Sequence, residues 1–192
     1  MNNKLILTDA DGVLLDWEYA FNVWMEQHGF QKQEGYQFIY DVGDRFGISK
    51  DQSKKLVKIF NESAAIGFLP ALRDATYYVK RLHEEHGFQF RVITSLSLDP
   101  NAGKLREMNL RKIFGDAIEQ VICLDTGADK DEELAKYEDS GLWWVEDKPA
   151  NALAGAKVGL KSILVEHGHN MHQPVDSYKI AKNWREIYEL II

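Results

Sequence analysis

Leu5-Ile6-Leu7-Thr8-Asp9-Ala10-Asp11-Gly12-Val13 begins as an apolar run and breaks into two acids and a glycine. A short apolar run closed by turn residues reads as a strand buried on both faces. Four more runs of this kind follow: Phe90-Arg91-Val92-Ile93, Val121-Ile122-Cys123-Leu124, Leu142-Trp143-Trp144-Val145 and Ser162-Ile163-Leu164-Val165. Helical patterns separate the later ones, at roughly 74–86, 100–109, 130–137 and 149–157, with a last helix at 184–190. Strands alternating with helices predict an α/β fold, a Rossmann-like doubly wound parallel sheet covered on both faces. Helix starts agree with this. Asp99-Pro100 offers a cap followed by proline at the first helical position, and Asn183 precedes the last helix.

About 80 residues separate the first two strands, too many for one crossover helix. Phe21, Trp24 and Met25 share a helical face there, as do Leu56, Ile59 and Phe60, and Gly29, Gly35, Gly47 and Gly67 punctuate the segment. The expected organisation is a helical insert of three or four helices over residues 17–72, set on a core made of 1–16 and 73–192.

Composition excludes several classes. Of 192 residues 45% are hydrophobic and 28% charged, so a packed core is available and disorder is not the main state. The single cysteine, Cys123, rules out an internal disulfide or a cysteine-based zinc cluster and reads as inert core within its strand. A net charge of −7 argues against nucleic acid or an anionic membrane as partner. No apolar stretch approaches the ~18 residues needed to span a bilayer. The run after Met1-Asn2-Asn3-Lys4 is too short for a signal peptide, and a cytoplasmic location is the expectation.

In a parallel sheet, ligands bind outside the carboxyl ends of the strands. Asp9 and Asp11 follow the first strand, Thr94 and Ser95 end the second, and Glu146 and Asp147 end the fourth, with Asn151 just beyond. Four carboxylates in one small space repel one another unless a cation joins them. An all-oxygen donor set suits Mg²⁺. A calcium loop fits poorly, because Gly12 comes too early and no glutamate stands at its twelfth position.

Asp9-x-Asp11-Gly12-Val13, a strand ending in Thr94, a lysine, and the Glu146-Asp147 pair, in that order, resemble the four motifs of the haloacid dehalogenase-like hydrolase superfamily. The resemblance implies that Asp9 is the nucleophile and becomes a phosphoaspartate. Asp11 would be general acid and base, and Thr94 would hold a phosphoryl oxygen. Asp9, the Asp11 backbone carbonyl and Asp147 would bind Mg²⁺, with Glu146 as a more remote or water-mediated ligand and Asn151 orienting Asp147. The lysine is either Lys130 or Lys136, with Lys104 a remoter candidate. Gly12 and Ser95 would line the phosphate site.

Asp11 favours phosphate-ester hydrolysis, since releasing an alcohol needs a proton and releasing a halide does not. The insert matches the superfamily's helical cap of the first type, which implies a small phosphorylated metabolite as substrate. Asp9 to Glu18 is also similar to the opening of 5′(3′)-deoxyribonucleotidases, which makes a nucleoside monophosphate a candidate, with Trp17 and Phe21 as a flat wall for its base. This chain departs from that branch at Leu96, where the branch has proline, and at Glu146, where it has aspartate. The alternatives are a phosphoryl transferase or phosphomutase, a sugar-phosphate or phosphoglycolate-type phosphatase, and a non-catalytic binding module. His167, His169 and His172 read as a solvated loop more readily than as a second metal site.

Overall fold

The computed structural model describes residues 4–171 and 176–192. Its sheet has six parallel strands: β1 (Leu5–Thr8), β2 (Gln89–Ser95), β3 (Ile118–Leu124), β4 (Trp143–Glu146), β5 (Lys161–Val165) and β6 (Lys179–Ala181). Their order is β3-β2-β1-β4-β5-β6, and every neighbouring pair is parallel, the doubly wound parallel sheet that the alternating pattern predicts. The sixth strand has no signal in the sequence. It is a three-residue edge strand whose first two residues are exposed, so it carries no apolar run.

Side chains alternate between the two faces with period 2. Ile6, Phe90, Val92 and Val145 pack into the larger core, while Leu7, Ile93 and Trp144 pack into a smaller one. Trp143 and Trp144 divide between the faces, as neighbours on one strand must. Five helices flank the sheet: α4 (Ala75–His86), α5 (Pro100–Phe114), α6 (Asp131–Ala135), α7 (Pro149–Lys157) and α8 (Trp184–Ile191).

Local chemistry sets their ends. Asp99 accepts from the backbone N–H groups of Asn101 and Ala102, and Pro100 opens α5. That helix runs five residues past the expected Asn109, which turns inward and bonds both the N–H and the carbonyl of Leu69, and its buried stripe continues through Leu110 and Phe114. Asn183 caps α8 by accepting from the Glu186 N–H at 3.0 Å. Asp74 does not cap its own helix; its carboxylate receives the N–H groups of Trp184 and Arg185 instead.

Between β1 and β2 lie α1 (Trp17–Gln27), α2 (Val42–Phe46) and α3 (Lys50–Asn61), with 3-10 turns at Tyr36–Phe38 and Ala64–Phe68. Phe21, Met25, Phe46 and Phe60 are buried in the same cluster as Ile6 and Val13. The expected α3 face needs one correction: Ile59 is 54% exposed, because the buried stripe runs through Ser53, Phe60 and Asn61, which places Ile59 on the outer side. The chain leaves and re-enters the sheet along two paired segments. The Asp16 N–H bonds the Pro70 carbonyl, and the Leu72 N–H bonds that of Leu14. Among the described residues, no helix is long and apolar enough to cross a membrane.

Candidate active site

The strand order reverses at β1 and β4, the crevice where sheets of this kind place ligands. A cavity of about 1030 Å³ opens there. Of the residues singled out above, Asp9, Asp11, Gly12, Trp17, Thr94, Ser95, Lys130, Glu146, Asp147 and Asn151 line it, whereas Phe21, Lys104 and Lys136 do not.

Asp9 is almost wholly buried at the cavity floor. One carboxylate oxygen accepts from the Ala10 N–H at 2.7 Å, and the other meets Lys130 Nζ at 2.8 Å. Burial pushes the Asp9 carboxyl up to about 7; Lys130 pulls the other way, and the charges of Glu146 and Asp11 add to the rise. Lys130 stands just before α6, buried, and also donates to Glu146 Oε2 at 2.8 Å. Burial opposes the charge on Lys130, but the two acids outweigh it and hold its ammonium above the ordinary lysine range. Lys136 lies elsewhere: it is exposed and pairs with Glu133. Asp131, Glu132 and Glu133 sit in the first turn of α6, but Glu133 is buried as well as Lys130, so the run is solvated only in part.

Glu146 is fully buried and hydrogen-bonded on both oxygens. Oε1 accepts from the N–H groups of Asp147 and Lys148, and Oε2 from Lys130 and from Asn151 Nδ2. Burial alone would raise the Glu146 carboxyl, but Lys130 and these bonds hold it below the ordinary value. Asn151 therefore orients Glu146, not Asp147 as expected. Trp144 Nε1 fixes the Asn151 backbone carbonyl at 3.0 Å, which leaves the amide facing β4.

Asp147 is held differently. Asn170 Nδ2 donates to its carbonyl at 2.7 Å, and its carboxylate lies against Gly12. A Cβ on Gly12 would stand 2.3 Å from Asp147 Oδ2, and Gly12 also has φ +71°, a left-handed backbone that disfavours other residues. Removal from water, then the charges of Glu146 and Asp9, keep the Asp147 carboxyl well above the ordinary range. Asp9, Glu146 and Asp147 each bring an oxygen within 4.8 Å of the other two. Three acids with one lysine among them form a donor set that a hard divalent cation fits, and Asp9 and Asp147 have oxygens less committed to the protein than Glu146 does.

The Thr94 hydroxyl is buried with no hydrogen-bond partner among the described residues. Ser95 donates to the Ala128 carbonyl at 2.8 Å, tying β2 to the loop after β3. Trp17 lines the cavity but is packed. It stacks on Phe21 at 4.5 Å, meets Phe60 edge-on at 5.7 Å, and donates from Nε1 to Asn61 Oδ1. Phe21 is fully buried beneath it and forms no part of the wall, a correction to the expected pair. Cys123 is half-buried near the end of β3 against the main core.

The histidine loop is not the solvated segment expected. His167 Nε2 donates to the Gly12 carbonyl at 2.7 Å, and its Nδ1 faces Arg73 Nη2 at 3.3 Å. His169 stacks on His167 at 5.4 Å and packs on Tyr40 at 5.0 Å. Burial, with the nearby His167 and Arg45, lowers His169 to about 4. His172 lies outside the described residues.

Two buried arginines escaped the sequence reading. Arg45 on α2 lines the cavity, donates to the Ile39 carbonyl at 2.8 Å and faces Glu18 at 3.3 Å. Arg106 on α5 forks onto both oxygens of Asp11. Its signal was a charge inside the buried stripe Ala102, Arg106, Asn109, Leu110.

No family model matches the chain. An uncharacterised 32.4 kDa protein of Enterobacteria phage T4 is 26% identical over 149 residues, 74% of this chain and 53% of that protein. The chain thus spans about half the length of the curated relative it matches. Among solved structures, a haloacid dehalogenase-like family hydrolase from Streptococcus pneumoniae aligns over 100% of both chains at TM-score 0.66 and 15% identity. L-2-haloacid dehalogenase from Xanthobacter autotrophicus, with chloropropionic acid covalently bound, aligns over 98% of both at 0.62 and 11%. CbbY from Rhodobacter sphaeroides, in complex with phosphate, aligns over 96% of both at 0.59 and 17%. These likenesses show the haloacid dehalogenase-like fold.

Proposed function

We propose that this chain is a Mg²⁺-dependent phosphatase that hydrolyses a small phosphomonoester through a phosphoaspartate on Asp9. One observation carries the reading: a buried aspartate paired with a buried lysine shares its cavity with a buried threonine hydroxyl that has no partner among the described residues. A buried donor without an acceptor is unfavourable, and a phosphoryl oxygen would satisfy it.

The Asp9 carboxylate attacks phosphorus as the bond from phosphorus to the leaving oxygen breaks. Asp11 gives its proton to that oxygen, then takes one from the water that attacks the phosphoaspartate, which frees phosphate and restores Asp9. Lys130 favours the charged, nucleophilic form of Asp9, and Glu146 anchors Lys130. Asp9, Asp147 and the Asp11 carbonyl would hold Mg²⁺, which when bound neutralises charge on the transferring group. Asp11 also favours an ester over a halide, because only the ester's alkoxide needs a proton.

Residues 17–72 would act as a cap over the core of 1–16 and 73–192, opening about the paired segments at Asp16 and Pro70. The cavity is large enough for a nucleoside monophosphate, at the upper end of the roughly 300–1,000 Å³ typical of ligand sites. Trp17 on its wall supports that substrate. Phosphate release across nucleotides, sugar phosphates and phosphoglycolate, with and without Mg²⁺, tests the reading. Release from none of them in Mg²⁺ would refute it.

A further inference from the structure

Arg106 is fully buried on α5, on the side of the helix that otherwise presents Ala102, Leu110 and Phe114 to the interior. A guanidinium out of water is unfavourable unless it is paired. The two side-chain hydrogen bonds seen for Arg106 both go to Asp11: Nη1 to Oδ1, and Nη2 to Oδ2 at 3.0 Å. Its Nε has no partner among the described residues. Asp11 lines the cavity with a quarter of its side chain exposed, whereas Arg106 does not line it. The cation therefore stands behind the acid, where substrate cannot reach it.

We propose that Arg106 is a positioning residue for Asp11: its buried fork fixes the direction in which that carboxylate faces the leaving group. The inference rests on the phosphatase reading above. An aspartate side chain turns about two bonds, and one contact to a point charge leaves the carboxylate plane free to rotate. Two parallel N–H bonds from a planar guanidinium fix the plane as well as the place, which an ammonium cannot do. Catalytic bases are commonly held this way by a third group that never touches substrate. The competing role is a structural ion pair that only ties the Gly12 turn to α5; its loss would slow every substrate alike.

Leaving groups separate the two roles. An alkyl phosphate needs a proton from Asp11, whereas p-nitrophenyl phosphate expels a stable phenolate without one. Arg106→Lys and Arg106→Met should be assayed on both esters with saturating Mg²⁺, each alone and together with Asp11→Asn. Positioned general acid–base transfer contributes about 10²–10⁴-fold, so its misdirection should lower the alkyl-to-aryl ratio of kcat/KM by about tenfold or more. In the Asp11→Asn background that ratio should already be low, and neither Arg106 change should move it further. Arg106→Lys keeps a buried cation and decides the matter if Arg106→Met does not fold. An unchanged ratio in Arg106→Lys, or an equal fall in both backgrounds, would overturn the positioning role while leaving the phosphatase intact. The alkyl ester is chosen from the substrates the wild type turns over in the panel above. A wild-type protein that releases phosphate from none of that panel, nor from p-nitrophenyl phosphate, would instead remove the phosphatase reading and this inference with it.

Discussion

Gly12→Ala places one methyl group against the candidate metal site. The added Cβ would lie 2.3 Å from Asp147 Oδ2 and 2.8 Å from its Cγ, far inside contact distance. The obstructing atoms end a short side chain, so Asp147 can swing aside and the fold should survive. The left-handed backbone, φ +71°, costs alanine about 1–2 kcal/mol. At roughly 2–4 °C per kcal/mol for a chain of this size, Tm should fall by about 2–8 °C. The larger effect should be on the cation. A displaced Asp147 loses its place beside Asp9, and shifts of this kind in metal sites typically cost about 10–100-fold in affinity. Phosphate release titrated with Mg²⁺ should show the half-saturating concentration raised by about that factor, with most of kcat recovered at high Mg²⁺. Thermal melts with and without Mg²⁺ give the same comparison without turnover, since a bound ion stabilises the folded chain by mass action. A variant with a lowered Tm but a wild-type Mg²⁺ requirement would show that Gly12 serves only the turn, and that Asp147 does not hold the ion.

Other outcomes follow from the same geometry. Lys130→Met strands two buried acids and should abolish turnover while destabilising the fold by about 3–5 kcal/mol, whereas Lys136→Met should leave both unchanged; urea melts and phosphate release on the pair decide between the lysines. Asp9, raised from an ordinary 3.8 to about 7, loses stability as pH rises through that window, because the folded chain holds the proton more tightly. Mg²⁺ competes with that proton, so its stabilising shift in Tm should grow between pH 5 and 7.5, by up to about tenfold in affinity per pH unit for each proton displaced. The lowered His169 changes stability in the opposite sense but should cancel in the difference between melts with and without Mg²⁺; a shift indifferent to pH would place the ion elsewhere. Trp17→Ala removes a ring stacked on Phe21 and edged by Phe60, so Tm should fall; if Trp17 also stacks a base, kcat/KM should drop more for a nucleoside monophosphate than for acetyl phosphate, and equal losses would remove the nucleotide.

Much of this site could be read from the chain because its residues stand at strand ends. Apolar runs mark the strands, parallel order brings their carboxyl ends to one edge, and Asp9, Thr94 and Asp147 follow from that alone. The helical segment between β1 and β2 was legible from its period, although the side that α3 buries was not. Apolar Ile59 faces outward, and polar Ser53 and Asn61 face in, where Asn61 bonds the Leu96 carbonyl and Trp17, and Ser53 bonds the Lys50 carbonyl of its own helix.

What only tertiary structure decided is which atoms meet across elements. Lys130 and Lys136 are six residues apart and both are candidates by spacing, yet one is sealed between Asp9 and Glu146 and the other is in water. Asn151 bonds Glu146, His167 reaches back 155 residues to Gly12, and Arg106 reaches 95 to Asp11. Periodicity records how a segment faces its immediate surroundings. Partners this distant in sequence are chosen by the strand order and by where each helix lies on the sheet, and no local pattern encodes those.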